Sequence, residues 1–152
     1  YELWLGWMDA GVRFAKVPRE LLTWHDGPAR LSRSDLRYAV EAFHALKCRY
    51  LARWIRREVA PGRPLYLWGA GRITRQRFAA LEDGRVSLAG YVDVDTKKTG
   101  RRVNQRDVIA PDAIPRGAFV LVGVGTRGAR ELISTYLSQH GFRAGLDFLL
   151  AA

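Results

Sequence analysis

Four apolar residues, Leu65-Tyr66-Leu67-Trp68, lead directly into Gly69-Ala70-Gly71, after which Ile73, Phe78 and Leu81 recur at helical spacing. A chain that passes from strand to helix through two glycines has few ways to fold. Residues without Cβ permit a tight turn and a close backbone approach to a ligand, and the free N–H groups at a helix start favour an anion. Gly69, Ala70, Gly71 and Arg72 are therefore candidates for a phosphate-sized site. The third glycine of a Gly-x-Gly-x-x-Gly pattern falls at Thr74, which a slightly displaced helix accommodates. About twenty residues on, Val86 to Asp93 predicts a second strand ending in an acid, where a dinucleotide-binding fold places its ribose-hydroxyl acceptor.

The device then recurs. Ala118 to Val122 predicts a buried strand, Gly123-Val124-Gly125-Thr126-Arg127-Gly128 matches Gly-x-Gly-x-x-Gly in full, and a helix follows from Ala129 to His140 with Gly141 as its stop. Phe148-Leu149-Leu150 predicts a last strand. Strand order 3-2-1-4-5 would bring the loops after strands 1 and 4 together across one cleft, adding Gly123, Gly125 and Thr126 to the candidates and Arg72 and Arg127 as phosphate-meeting cations. Thr96 to Arg102 is a basic loop beside Asp93 in which Lys97 or Lys98 could pair with a phosphate, and Val108-Ile109 reads as a short strand before an irregular Pro111 to Pro115. The fold class expected is α/β, a Rossmann-like, mostly parallel sheet with flanking helices, preceded by a helical segment. The competing reading is two tight turns with no ligand.

At 152 residues, 48% apolar and with five Trp, the chain is long and apolar enough for a core rather than disorder. No run approaches the eighteen or so apolar residues of a membrane span. Cys48 stands alone, which excludes an internal disulfide or a cysteine zinc cage and suggests a packed side chain in a cytoplasmic protein. The net charge of +10 is spread over both halves, with eleven Lys/Arg against seven Asp/Glu in residues 1–60 and fourteen against eight in 61–152, so no nucleic-acid partner is expected.

Leu3, Trp4, Trp7 and Met8 give a helix ending near Gly11, already under way at Tyr1, as in a piece of a longer protein. Val12 to Val17 alternates as a strand, Pro18 breaks it, Leu21 to Trp24 reads as extended, and His25 to Arg30 is a loop. Ser34-Asp35 predicts an N-cap for a helix from Leu36 to Val59, with Val40, Phe43, Leu46, Leu51 and Ile55 on one stripe. Its basic face with Tyr50 and Trp54 either lies on an anionic membrane surface or is solvated, the second being favoured. Ala60 to Pro64 reads as a linker, dividing the chain into 1–60 and 61–152.

Tyr1 to Leu5, Ala10-Gly11, Phe14 to Pro18, Leu21-Leu22 and Arg30 to Arg33 resemble the end of the catalytic domain of bacterial family 2 glycosyltransferases, inverting enzymes that use nucleotide-diphosphate sugars. The resemblance implies that the catalytic base lies upstream of Tyr1, that Trp4 faces the acceptor side, and that this stretch, with neither base nor donor site, has no catalytic residue. It also implies an upstream catalytic domain as partner. His25 is the local histidine candidate, and no metal role is assigned to it. Trp68 to Gly71 and Tyr91 to Asp95 resemble the Rossmann-like modules of bacterial sugar-modifying enzymes, including the sugar-nucleotide-binding domain of sugar acetyltransferases. That likeness implies a nucleotide or nucleotide sugar as ligand. A nicotinamide-dependent oxidoreductase domain binding NAD and a ligand-free interaction module are the alternatives.

Overall fold

Strands buried on both faces read as unbroken apolar runs, and such strands pair in parallel when helices cover the two faces. The computed structural model describes residues 1–23, 25, 27, 30, 35, 38–83 and 86–152. Its helices are α1 (Glu2–Asp9), α2 (Val40–Glu58), α3 (Arg72–Arg77), α4 (Ala80–Asp83) and α5 (Ala129–Gln139), and its strands β1 (Leu65–Trp68), β2 (Gly90–Val92), β3 (Arg102–Val103), β4 (Arg106–Ile109), β5 (Phe119–Val122) and β6 (Phe148–Leu150). The fold is α/β, with a six-stranded sheet in the order β3-β4-β2-β1-β5-β6. Every neighbouring pair is parallel except β3 with β4. Leaving aside the edge hairpin strand β3, this is the 3-2-1-4-5 order expected, with its switch between β1 and β5.

Alternation along the strands divides the core in two. Leu65, Leu67, Tyr91, Val108, Phe119 and Leu121 face α2, α3 and α4, while Trp68, Val92, Val120, Val122 and Phe148 face Ile133 and Leu137 of α5. The buried stripe of α2 is Cys48, Leu51, Ala52 and Ile55, the i, i+3, i+4, i+7 pattern of a one-sided helix. Val40 and Phe43, expected on that stripe, are 58% and 42% exposed, and Phe43 stacks on Tyr1 at the start of the chain instead of on the sheet. The parts on either side of residues 60–64 thus share one hydrophobic cluster.

That connector is anchored. Arg63 donates to the carbonyls of Gly117 (2.6 Å), Leu146 (2.7 Å) and Ala118 (3.0 Å) and to Asp147 Oδ1 (2.7 Å), tying the start of β1 to the segments that lead into β5 and β6. Asp147 also accepts from the side chain and backbone of Arg143, and these contacts, led by the Arg143 side chain, hold its carboxyl well below the usual carboxylate range. A depressed folded pKa means that the stabilisation is present above the unfolded value, about 3.9, and is lost as pH falls below it. Stability measured by urea unfolding should decline from about pH 4 downward, and Asp147→Asn should flatten that decline; an unchanged profile in the variant would remove Asp147 from the account.

Several local expectations shift. Residues 12–17 form no strand, and Phe14 instead sits with its ring 5.5 Å from Trp4 and 6.4 Å from Trp7. The long helix starts at Val40 after a turn closed by Tyr38 N–H to Asp35 O (2.9 Å); Ser34 and Leu36 lie outside the described residues, as do Trp24, Leu31 and Arg33. The predicted helix after Gly71 is interrupted at Phe78 and Ala79, and the strand predicted from Val86 pairs only over Gly90–Val92. After the basic loop, the strand expected at Val108-Ile109 is the end of β4, and β3 and β4 form an unexpected hairpin whose turn residues Asn104 and Gln105 both have positive φ, 49° and 61°. Two positive φ values mark a type I′ turn, and Gln in the place usually held by Gly conceals it in the sequence. No helix among the described residues is long and apolar enough to cross a membrane.

Candidate functional site at the two glycine loops

The strand order sets the loop after β1 against the loop after β5. A methyl group added at Gly69 would lie 3.1 Å from Val124 Cγ2 and 3.0 Å from Thr74 Cγ2. At Gly123 it would meet Thr74 Cγ2 at 2.7 Å and Leu67 and Phe78 at 2.9 Å. Thr74, standing where the motif would have its third glycine, therefore lodges its side chain between the loops, and Gly69 and Gly123 make room for it. Gly69 also has φ +117°, which side-chain-bearing residues rarely adopt. These two glycines serve packing and backbone conformation.

Gly71 and Gly125 differ from them. Nothing lies within 4 Å of a methyl at Gly71, and at Gly125 only Ala152 Cβ (3.6 Å) and Arg77 Nη1 (3.9 Å) do. Thr126 and Arg127 beside Gly125 are exposed, as is Arg72 beside Gly71. The predicted residues thus sort by position: Gly69, Ala70 and Gly123 are buried, whereas Arg72, Gly125 and Thr126 face outward and Gly71 is half-buried.

Asp93 stands at the end of β2 as expected and is 8% exposed. Its carboxylate is already engaged. Oδ2 accepts from Ala70 N–H (3.0 Å) and Lys98 Nζ (3.2 Å), and Oδ1 accepts from Asp95 N–H (3.0 Å). Gly69 N–H reaches Val92 O at 2.7 Å, so β2 holds the first loop through both backbone and side chain. The pairing with Asp93, then with Asp95, raises the Lys98 pKa, and the Lys97 amide, followed by Lys98, lowers that of Asp95. Lys98 is thereby committed to acids, whereas Lys97 is exposed. With two donors on Oδ2 and one on Oδ1, Asp93 keeps an acceptor site for a ribose hydroxyl on Oδ1 alone.

The two loops are alike in their backbone donors: Ala70 N–H is taken by Asp93 and Ala129 N–H bonds back to Thr126 O (3.1 Å), while the amides of Gly71, Arg72 and Ile73 in the first loop and of Gly125, Thr126 and Arg127 in the second meet no acceptor among the described residues. Sequence reasoning missed Arg77, one turn beyond the first loop, because only the packing of α3 against β5 brings its guanidinium over Gly125. Cys48 lies behind this region with Sγ 3.3 Å from Arg77 O, and burial pushes its thiol up to about 11, so it packs rather than reacts. His25 is exposed, and among the described residues no cluster of three or more His, Cys, Asp or Glu could hold a metal ion. Comparison of the chain with protein-family models, curated proteins and solved structures returns no match.

Proposed function

We propose that the α/β unit binds a nucleotide or nucleotide sugar at the paired glycine loops, and that it belongs to the C-terminal part of a cytoplasmic bacterial family 2 glycosyltransferase whose catalytic base and donor site lie upstream. The carrying observation is the meeting of the two loops at the β1/β5 switch, with Gly71 and Gly125 open beside them. Ligands of doubly wound sheets sit outside the carboxyl ends of the strands at this position. The unit supplies binding rather than bond-breaking chemistry. Asp93 acts on the ligand indirectly, by fixing the amide direction of the first loop.

A second reading has its own support, since the tight packing around Gly69 and Gly123 is what a ligand-free βα turn would also require. One experiment separates the two. Nucleoside diphosphates, nucleotide sugars and NAD are screened by thermal shift, where a ligand at 100 times its Kd adds about 2.7 kcal/mol of stability. Gly71→Ala should leave the unliganded protein as stable as wild type or raise stability by up to about 1 kcal/mol, since φ −64° suits alanine and the space is open. It should also reduce the nucleotide-induced shift. A shift by NAD alone would favour an oxidoreductase-type domain, and no shift from any of these compounds would leave the loops as architecture.

A further inference from the structure

Parallel strands begin at one end of a sheet and end at the other, so the segments leading into β1, β5 and β6 meet at the end away from the glycine loops. The turn after α5 returns to the same place. Together they border a hollow of about 500 Å³ lined by Arg63, Arg116, His140, Phe142, Arg143 and Asp147. That volume is within the range of small-molecule sites, about 300–1,000 Å³. Three guanidinium groups face one carboxylate there, an excess of two positive charges with His140 neutral.

The fold uses only part of this set. Arg63 is spent on three carbonyls and Asp147, and Asp147 is spent in turn on Arg63 through Oδ1 and on the amide (2.9 Å) and Nε (2.8 Å) of Arg143 through Oδ2. Other donors stay unused. Arg143 keeps Nη1 and Nη2, and the Arg116 side chain makes no hydrogen bond or ion pair with any described residue. His140 donates from Nδ1 to Tyr136 O (2.8 Å), which leaves Nε2 without a partner. Its ring stacks on Tyr136 with centres 4.0 Å apart, and Asp112, which acts on Tyr136, does not line the hollow. Arg116 and Arg143 are exposed, so a ligand can reach them, while Phe142 is half-buried and offers an apolar wall.

We infer that this hollow is a second binding site, for a small phosphorylated molecule whose phosphate is held by Arg116 and Arg143 and whose organic part lies against Phe142 and His140. A phosphomonoester carries about −1.5 to −2 charges at neutral pH, which matches the local excess, and guanidinium forks meet its oxygens two at a time. Arg63 and Asp147 form the fixed wall that orients Arg143. The site goes beyond the nucleotide reading and does not rest on it, because the two lie at opposite ends of the strands.

Amide chemical shifts of the ¹⁵N-labelled 152-residue chain, followed by NMR during titration with inorganic phosphate, glycerol phosphate and glycerol, test the assignment. Both phosphates should shift Gly117, Gly141, Phe142 and Arg143 saturably, and glycerol should not. Arg116→Gln and Arg143→Gln should each weaken both phosphates at least about tenfold, the size of one charge-assisted hydrogen bond, while Arg49→Gln on the exposed face of α2 should stay within twofold of wild type. Arg116 has no protein contact to lose, so R116Q should keep the wild-type thermal midpoint and its result stands even if R143Q loosens the Asp147 turn. No saturable shift at these amides, or one that R116Q leaves within twofold, would overturn the inference. Phosphate shifts confined to residues 69–73 and 123–128 would also overturn it while supporting the glycine-loop reading. A nucleoside diphosphate that shifts only the amides around Arg116 and Arg143 would uphold the inference and sink nucleotide binding at the glycine loops.

Discussion

Phe119→Ala is expected to lower the unfolding free energy by about 3–5 kcal/mol, the cost of removing a large ring from a closed core. Phe119 is 1% exposed, begins a central strand, and has its ring 5.9 Å from that of Trp54 on α2 and 5.5 Å from the Arg63 guanidinium carbon. The ring therefore joins three parts of the chain: the helix before the connector, the connector itself and the sheet. Total stabilities of single domains are about 5–15 kcal/mol, so the variant should sit near its threshold. Urea unfolding followed by far-ultraviolet circular dichroism and tryptophan fluorescence should give one shifted transition in both signals. Two separate transitions, with helix persisting while the tryptophan signal is lost, would mean that α2 does not share the stability of the sheet.

Asp93→Ala should cost about 2–3 kcal/mol, because the Ala70 amide is left buried without an acceptor. This bears on how the site is tested. Loss of nucleotide binding in the alanine variant would follow from a slackened first loop as readily as from a lost ribose contact. Asp93→Asn keeps an acceptor oxygen for Ala70 but sets an NH2 group against the Asp95 amide and weakens the pairing with Lys98, so it should recover only part of the lost stability in denaturant titrations. If both variants unfold within about 0.5 kcal/mol of wild type, a surface-like effect, the carboxylate does not hold the loop.

The β1 turn, the full Gly-x-Gly-x-x-Gly after β5 and the acid at the end of β2 were legible because each is local: apolar runs, glycines and an acid at fixed offsets. Strand order followed from them, since short parallel strands joined through helices have few ways to wind. The 102–109 hairpin was not legible, because its turn residues Asn104 and Gln105 lack the glycine that advertises a type I′ turn.

The partition of roles among the candidate residues belonged to the tertiary structure alone. In sequence Gly69, Gly71, Gly123 and Gly125 look alike, but Thr74, Leu67 and Phe78 crowd only the buried pair, and that crowding depends on how α3 lies over β1 and β5. Asp93 has the predicted place and a contact that the sequence does not show, because the carboxylate can reach Ala70 only after β1 and β2 pair in register. Likewise the apparent boundary at residues 60–64 has the composition of a linker, while Cys48, Leu51, Ala52 and Ile55 bury their side chains against the sheet beyond it. Sequence by itself determined the α/β class, the order of the strands and the two loops, because periodicity and glycine chemistry act over a few residues. Which groups are free to meet a ligand was decided by contacts between residues distant in the chain, and these exist only once the sheet has closed its two layers of helices around it.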